Sequence, residues 1–285
     1  DAQKQRFLAR IANLDDWWCQ GFSEPGAGSD LASLKTRADR DGEDYVVNGQ
    51  KVWISRAEHS DLMVLLARTT PREKAPKRTQ GLSVFIVDIN EAKKSGMEIR
   101  PVRTMLNHAT TEIFLKDVPV PAENLIGEEG EGFRYILSGM NAERILIAAE
   151  CIGDAYWFIE KARRYACERK VFGRPIGQNQ GIQFPIARSY AGTQAAELMV
   201  HKAIGMYDGG EDCGAEANMA KLLASEASWA AADMCMQTHG GYGLAEEYDI
   251  ERKFRETRLY QIAPISTNLI LAYLGEHRLG LPRSY

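Results

Sequence analysis

Two patterns of apolar residues divide the chain. From Trp17 to about Gly127 they fall in short alternating runs set between turn formers. Tyr45-Val46-Val47 and Val52-Trp53-Ile54 flank Asn48-Gly49, a pair suited to a type I′ turn, and this predicts a hairpin. Residues 62–67, 82–87, 97–102 and 112–115 read as further strands. The charged stretch 69–78 reads as a loop, and Pro119 and Pro121 as the close of the β part. From Gly132 the period becomes helical: 132–168, 180–208, 215–238, a break at Gly240-Gly241-Tyr242-Gly243, and a last helix after Ile265. Phe7, Leu8, Ile11 and Leu14 share one face of a short leading helix. The expected fold is α+β: a β-sandwich or barrel followed by an antiparallel four-helix bundle. The expected domains are 1–16, 17–128 and 129–285.

One residue breaks the helical pattern. Glu143 has Gly139, Met140, Leu146 and Ile147 as neighbours three and four positions away, all apolar. A solvated glutamate keeps polar company on its face. Burial raises a carboxylate's pKa, and a carboxylate in an apolar cleft is a useful general base. The other reading is a glutamate paired with an arginine inside the bundle.

Composition narrows the classes. At 285 residues, with a net charge of -4, the chain has ample core and no basic footprint for nucleic acid. No apolar run approaches the roughly 18 residues that a membrane span needs. Cys19, Cys151, Cys167, Cys213 and Cys235 are odd in number and lack CxxC spacing, which suggests reduced thiols in an intracellular, soluble protein. The compartment is read as bacterial cytoplasm or mitochondrial matrix. His59, His108, His201, His239 and His277 are scattered and form no metal-ligand pair, so no metal is expected. Lys4, Arg6 and Arg10 hint at a transit peptide, but Asp1, Asp15 and Asp16 argue against one.

Three stretches remain. Ser23-Glu24-Pro25-Gly26-Ala27-Gly28-Ser29-Asp30 is a glycine-rich turn without the GK[ST] of a P-loop. Trp53-Ile54-Ser55 ends a strand; there Trp53 is either plain core or an aromatic laid against a flat ring. Arg169-Lys170-Val171-Phe172-Gly173 reads as a helix end with a basic C-terminus and a glycine cap.

Taken together and in order, these stretches resemble the acyl-CoA dehydrogenase family, namely its middle β domain and C-terminal helical domain. Ser23 to Asp30 with Asn48-Gly49-Gln50-Lys51-Val52-Trp53-Ile54-Ser55 is similar to the family's flavin and substrate signature. Arg169 to Gly173 with Gln180 resembles a second signature, and Gln237-Thr238-His239-Gly240-Gly241-Tyr242-Gly243 a third. The family's N-terminal helical domain is expected to be missing apart from its last helix.

The resemblance implies FAD. It places Phe22, Ser23 and Ser55 at the isoalloxazine, with Trp53 against the ring. It places Arg169, Phe172, Gln180 and Gln237 at the ADP part, Gly240 and Gly241 where backbone approaches, and Ser266 and Asn268 at phosphates. Ser29, Asn141 and Arg144 match positions lining the acyl-CoA channel. Family members share each cofactor between subunits, which implies a homodimer or homotetramer, and pass electrons to an electron-transferring flavoprotein.

The chain also departs from the family. Most members carry the catalytic glutamate after a Tyr-Gln-Ile-type run, but here Tyr260-Gln261-Ile262-Ala263 leads to Pro264. A minority, including the isovaleryl-CoA and long-chain enzymes, carries the base on the first long helix, which here means Glu143. Proline also lacks the backbone N–H that the family uses to polarise the thioester, so either Ile265 donates or the cofactor acts nearly alone. The implied reaction converts an acyl-CoA to a trans-2-enoyl-CoA, with Glu143 taking the α-proton and hydride passing to flavin N5. The alternatives are an acyl-CoA oxidase or a non-catalytic flavin- or CoA-binding protein on the same scaffold.

Overall fold

The computed structural model describes residues 1–106 and 109–283, so His108 lies outside the described residues. The chain forms two compact units, Asp1–Ser138 and Gly139–Tyr285.

The first unit runs α1 (Ala2–Ala12), β1 (Trp18–Gly21), β2 (Arg37–Asp41), β3 (Asp44–Ser55), β4 (Leu62–Arg68), β5 (Leu82–Asp88), α2 (Ile89–Lys94), β6 (Met97–Pro101), β7 (Thr110–Pro121) and β8 (Leu125–Ile126). These strands form one sheet in the order β6-β7-β3-β2-β4-β5-β8, with β1 beside β4. Strand β2 joins β4 through a single pair, Arg37↔Arg68. One core collects Tyr45, Val47, Ile113, Leu115 and Val118 from one side of that seam and Cys19, Met63, Leu65, Phe85 and Val87 from the other. The sheet therefore closes on itself around these residues, in the manner of a sandwich. Strands β4 and β5 are buried on both faces, because Leu66, Leu82 and Val84 feed a second cluster and Leu62 and Ile86 a third. That third cluster includes Phe7, so α1 packs on the β unit. Gln3 ties α1 down further, donating to the carbonyls of Glu123 (2.7 Å) and Leu125 (2.9 Å).

The expected turn at Asn48-Gly49 does not form. Strand β3 runs straight through it, and the hairpin turn lies at Gly42, between the paired Asp41 and Asp44. Asn48-Gly49 is instead a bulge, where the β3–β7 register shifts between Val47 and Gly49. Glycine is required there because a Cβ would lie 2.7 Å from the Thr36 Cα. Pro119 lies within β7 and Pro121 ends it, so the prolines close the last long strand and only the two-residue β8 follows in this unit. Pairing of β7 with β6 stops at Leu115, which leaves these prolines on a stretch with one open edge.

The second unit contains most of α3 (Gly132–Glu168), the small hairpin β9 (Lys170–Val171) and β10 (Arg174–Pro175), α4 (Gln180–Asp208), α5 (Gly214–His239), α6 (Ile250–Thr257) and α7 (Thr267–Tyr273). Ala148, Ala196, Ala203, Ala217, Ala220 and Ala224 line the contact of the three long helices and let their backbones approach. A second cluster joins Phe158 and Ala162 of α3, Ala231 and Cys235 of α5, and Ile250 of α6. The fourth helix is thus delivered as two short pieces, α6 and α7. The charged run over α6 hid it in the sequence. It is held by ion pairs one turn apart, Arg252 with Asp249 and Glu256, and Arg255 with Glu251.

Gly49→Ala should destabilise the first unit by roughly 1–3 kcal/mol, because the added carbon meets backbone that cannot swing away. Urea unfolding followed by fluorescence checks this.

Candidate functional site

In the first unit the glycine-rich turn is a tight loop in which Glu24 and Ala27 exchange backbone hydrogen bonds of 2.9 and 3.0 Å. The Val52 N–H donates to the Ser23 carbonyl (3.0 Å), which ties the loop to β3. Beside it sits Lys51, fully buried, whose Nζ donates to the Phe22 carbonyl (3.0 Å) and to Glu24 Oε1 (2.9 Å). The Glu24 carboxylate also accepts from the backbone N–H groups of Lys35 (2.7 Å) and Thr36 (2.9 Å). Burial pushes the Lys51 ammonium down to about 8 against the pull of Glu24. Burial also pushes Glu24 up, but Lys51 and the surrounding donors outweigh it and hold the carboxyl below its usual range.

Trp53 sits at a second irregularity of β3, where the pairing with β7 shifts between Lys51 and Ile54. Its φ of 62° is left-handed, and 62% of the residue is exposed. The plain-core reading of Trp53 is therefore overturned: the bulge turns the indole outward. Ser55, two residues on, is also exposed. The structure brings Phe22, Ser23, Trp53 and Ser55 to one end of β3. Ser29 lies on the exposed continuation of the loop, where Asp30 pairs with Arg78.

In the second unit Glu143 is half-buried, and among the described residues it makes no hydrogen bond or salt bridge. Burial raises its pKa, with the Arg144 charge opposing. The Arg144 guanidinium instead donates to Asn141 Oδ1 (2.9 Å) and lies against Met140 Sδ (3.9 Å). This removes the reading of Glu143 as one half of an internal ion pair. Leu146, on the same face, is 70% exposed.

Arg169 starts the β9–β10 hairpin, whose turn residues Phe172 (φ 52°) and Gly173 (φ 80°) are both left-handed. Positive φ at both central residues suits the I′ turn of a two-residue hairpin: the helix ends at Glu168 as expected, but Gly173 is a hairpin turn residue and not its cap. Phe172 is 100% exposed at its tip. The Arg169 guanidinium lies over the Tyr242 ring, 5.7 Å from its centroid, which brings Arg169 to the Gly240-Gly241 turn. An aromatic cluster supports that turn. His239 stacks on Tyr165 (4.2 Å between centroids) and donates from Nδ1 to the Cys235 carbonyl (2.8 Å), while Tyr248 packs edgewise on both rings and tilted against Tyr242. Gly240 has φ 58° and ψ -133°, a conformation only glycine adopts readily. Gln237 is exposed near the end of α5, and Gln180 opens α4, tied back through Ile176, whose N–H donates to the Arg169 carbonyl (2.9 Å).

Ser266 caps α7, its Oγ accepting from the Leu269 N–H (3.3 Å), and Asn268, the second residue of that helix, is exposed. Among the described residues nothing accepts a hydrogen bond from the Ile265 N–H. No group of His, Cys, Asp and Glu among the described residues could hold a metal, and no helix there is long and apolar enough to cross a membrane.

Comparison with known proteins decides the family. Residues 19–118 match the model for the acyl-CoA dehydrogenase middle domain and residues 130–268 that for the acyl-CoA dehydrogenase C-terminal domain. The chain belongs to the acyl-CoA dehydrogenase family. It is accordingly an oxidoreductase and a flavoprotein. It is 36% identical to the acyl-CoA dehydrogenase FadE12 of Mycobacterium tuberculosis (strain H37Rv), over 100% of this chain and 73% of that protein. It resembles the crystal structure of an acyl-CoA dehydrogenase from Geobacillus kaustophilus with a TM-score of 0.91 and 32% identity, over 95% of this chain and 71% of that one. It also resembles the FAD complex of PigA with a TM-score of 0.90 and 25% identity, over 98% of this chain and 71% of that one.

Sequence reasoning missed Lys51, Glu24 and the aromatic support of the glycine turn. An inward-facing lysine in an alternating strand is the only signal that could have found the first, and the bulges of β3 scramble that alternation.

Glu24→Gln should destabilise the protein by about 3–5 kcal/mol near neutral pH, because it leaves the Lys51 ammonium buried and unpaired. Glu24 is held below the usual carboxylate range. Its contribution is therefore complete above that range and is lost as pH falls through the folded value. The stability gap between wild type and variant in urea should narrow towards acid pH.

Proposed function

We propose that the chain is an FAD-dependent acyl-CoA dehydrogenase in which Glu143 is the base. The observation that carries this reading is the Glu143 carboxylate: half-buried, without a hydrogen-bond partner, and pushed up in pKa by burial. A structural carboxylate at such a site would be paired. The residues present suit FAD, with an outward-turned indole and two hydroxyl side chains for a flat heterocycle and a glycine turn under an arginine for an anionic part. Phe22, Ser23, Trp53 and Ser55 hold the ring. Arg169, Phe172, Gln180, Gln237, Gly240, Gly241, Ser266 and Asn268 hold the remainder, and Ser29, Asn141 and Arg144 line the substrate channel.

When bound, FAD accepts the substrate's β-hydrogen with its electron pair. Glu143 takes the α-proton onto a carboxylate oxygen, and the electrons of that C–H bond form the new double bond. An acyl chain lying over the exposed apolar face around Leu146 expels water from Glu143 and strengthens it as a base. Asn141 keeps the Arg144 guanidinium engaged and off the Glu143 carboxylate. A backbone N–H at Ile265 or Ser266 supplies the thioester donor that Pro264 lacks. The assembly is a homo-oligomer, as is typical of the family, and an electron-transferring flavoprotein is the electron acceptor.

Glu143→Gln should retain bound FAD and lose anaerobic flavin bleaching by acyl-CoAs by about 10²–10⁴-fold. Stopped-flow absorbance across a chain-length panel checks this, and wild-type bleaching in the variant would remove Glu143 from the mechanism. In the wild type, kcat/KM should rise with pH through a value above the ordinary carboxylate range, since only the ionised form accepts the proton.

A further inference from the structure

Lys221 lies on α5 and is fully buried. Its neighbours one turn away include Ala217 and Ala224, both in the apolar core of the second unit. No carboxylate among the described residues pairs with it, and its one hydrogen bond runs from Nζ to the Ile265 carbonyl at 2.7 Å. Burial and the nearby Arg144 charge push its ammonium down to about 8. Burying a cation on a single acceptor is costly, and an apolar side chain of similar length would fill this core more cheaply. The lysine therefore needs an explanation outside core packing.

Its acceptor supplies one. The Ile265–Ser266 peptide is trans, the Ala263–Pro264 bond being the cis peptide of the described chain. Carbonyl and N–H point opposite ways across a trans peptide, so drawing the Ile265 carbonyl in to Lys221 turns the Ser266 N–H away from it. Among the described residues neither the Ile265 nor the Ser266 N–H has an acceptor. A cation donating to the carbonyl also polarises the peptide and strengthens its N–H as a donor. We infer that Lys221 is a positioning residue: it pins and polarises the Pro264–Ser266 backbone so that this backbone donates to the thioester carbonyl of the acyl-CoA. The inference rests on the acyl-CoA reading above.

Acetyl-CoA labelled with ¹³C at the thioester carbonyl is a suitable probe, because it has no β-carbon and binds without reacting. In the FAD-loaded wild type, isotope-edited infrared spectra should show the bound carbonyl below its frequency in solution. In Lys221→Met the band should move back towards the solution value, and flavin bleaching by the best acyl-CoA should slow about 10²-fold with KM little changed. Lys221→Gln, which still has a donor, should fall between. A Lys221→Met protein with lowered melting temperature but wild-type band and bleaching rate would overturn the inference and leave Lys221 a packing residue. Should Lys221→Met fail to fold, hydrogen exchange in the wild type decides: acetyl-CoA should slow exchange at the Ile265 and Ser266 amides, and no slowing overturns the inference. A wild type that no acyl-CoA bleaches would overturn the proposed function itself.

Discussion

The first unit depends on a buried ion pair. Lys51 and Glu24 belong to segments 27 positions apart, and their contact fixes the glycine-rich turn on β3. Buried pairs of this kind are weak sources of net stability, since desolvation offsets much of the attraction. Specificity is a better account of this one. Lys51 Nζ holds the Phe22 carbonyl and Glu24 together, and Glu24 in turn gathers the backbone of Lys35 and Thr36. Three chain segments are thereby placed with respect to one another, and Thr36 is also the residue against which Gly49 fits without a Cβ. The positions of Ser23 and Trp53 follow from that arrangement.

Both units display an aromatic side chain on left-handed backbone. Trp53 at a bulge and Phe172 at a hairpin tip are non-glycine residues at positive φ, and both are largely exposed. Left-handed conformations cost a non-glycine residue of order 1–3 kcal/mol each. Exposure removes the compensation that burying the ring would give. Neither feature helps the isolated chain fold, so each fits a residue whose ring is covered by something other than its own unit.

Much of this was legible in the sequence. The helices over 132–168 and 180–208 end where the change of period says they should, and α3 and α4 have those limits. Glu143 stood out because a helix face can be computed from spacing alone, and its apolar company carries over to the raised pKa. The Asn48-Gly49 signal failed because it is local, whereas the outcome was set by the close approach of Thr36. Helix α6 was hidden because its stability comes from ion pairs and from Ile250 entering a core built by distant helices. Lys51 and Lys221 were illegible for a related reason. A lysine in a sequence reads as surface, and only the partners Glu24 and Ile265 make burial possible.

Helix α3 is also a ruler. It is 37 residues long and unbroken, so Glu143 and Arg169, just past its end, are held about 39 Å apart along a rigid axis. A single dinucleotide is shorter than that span. With the roles proposed for these residues, the base and the arginine of one chain cannot serve the same cofactor molecule. On that reading each FAD would be completed by two chains, assembly would be a condition of cofactor binding, and holoenzyme yield would follow protein concentration.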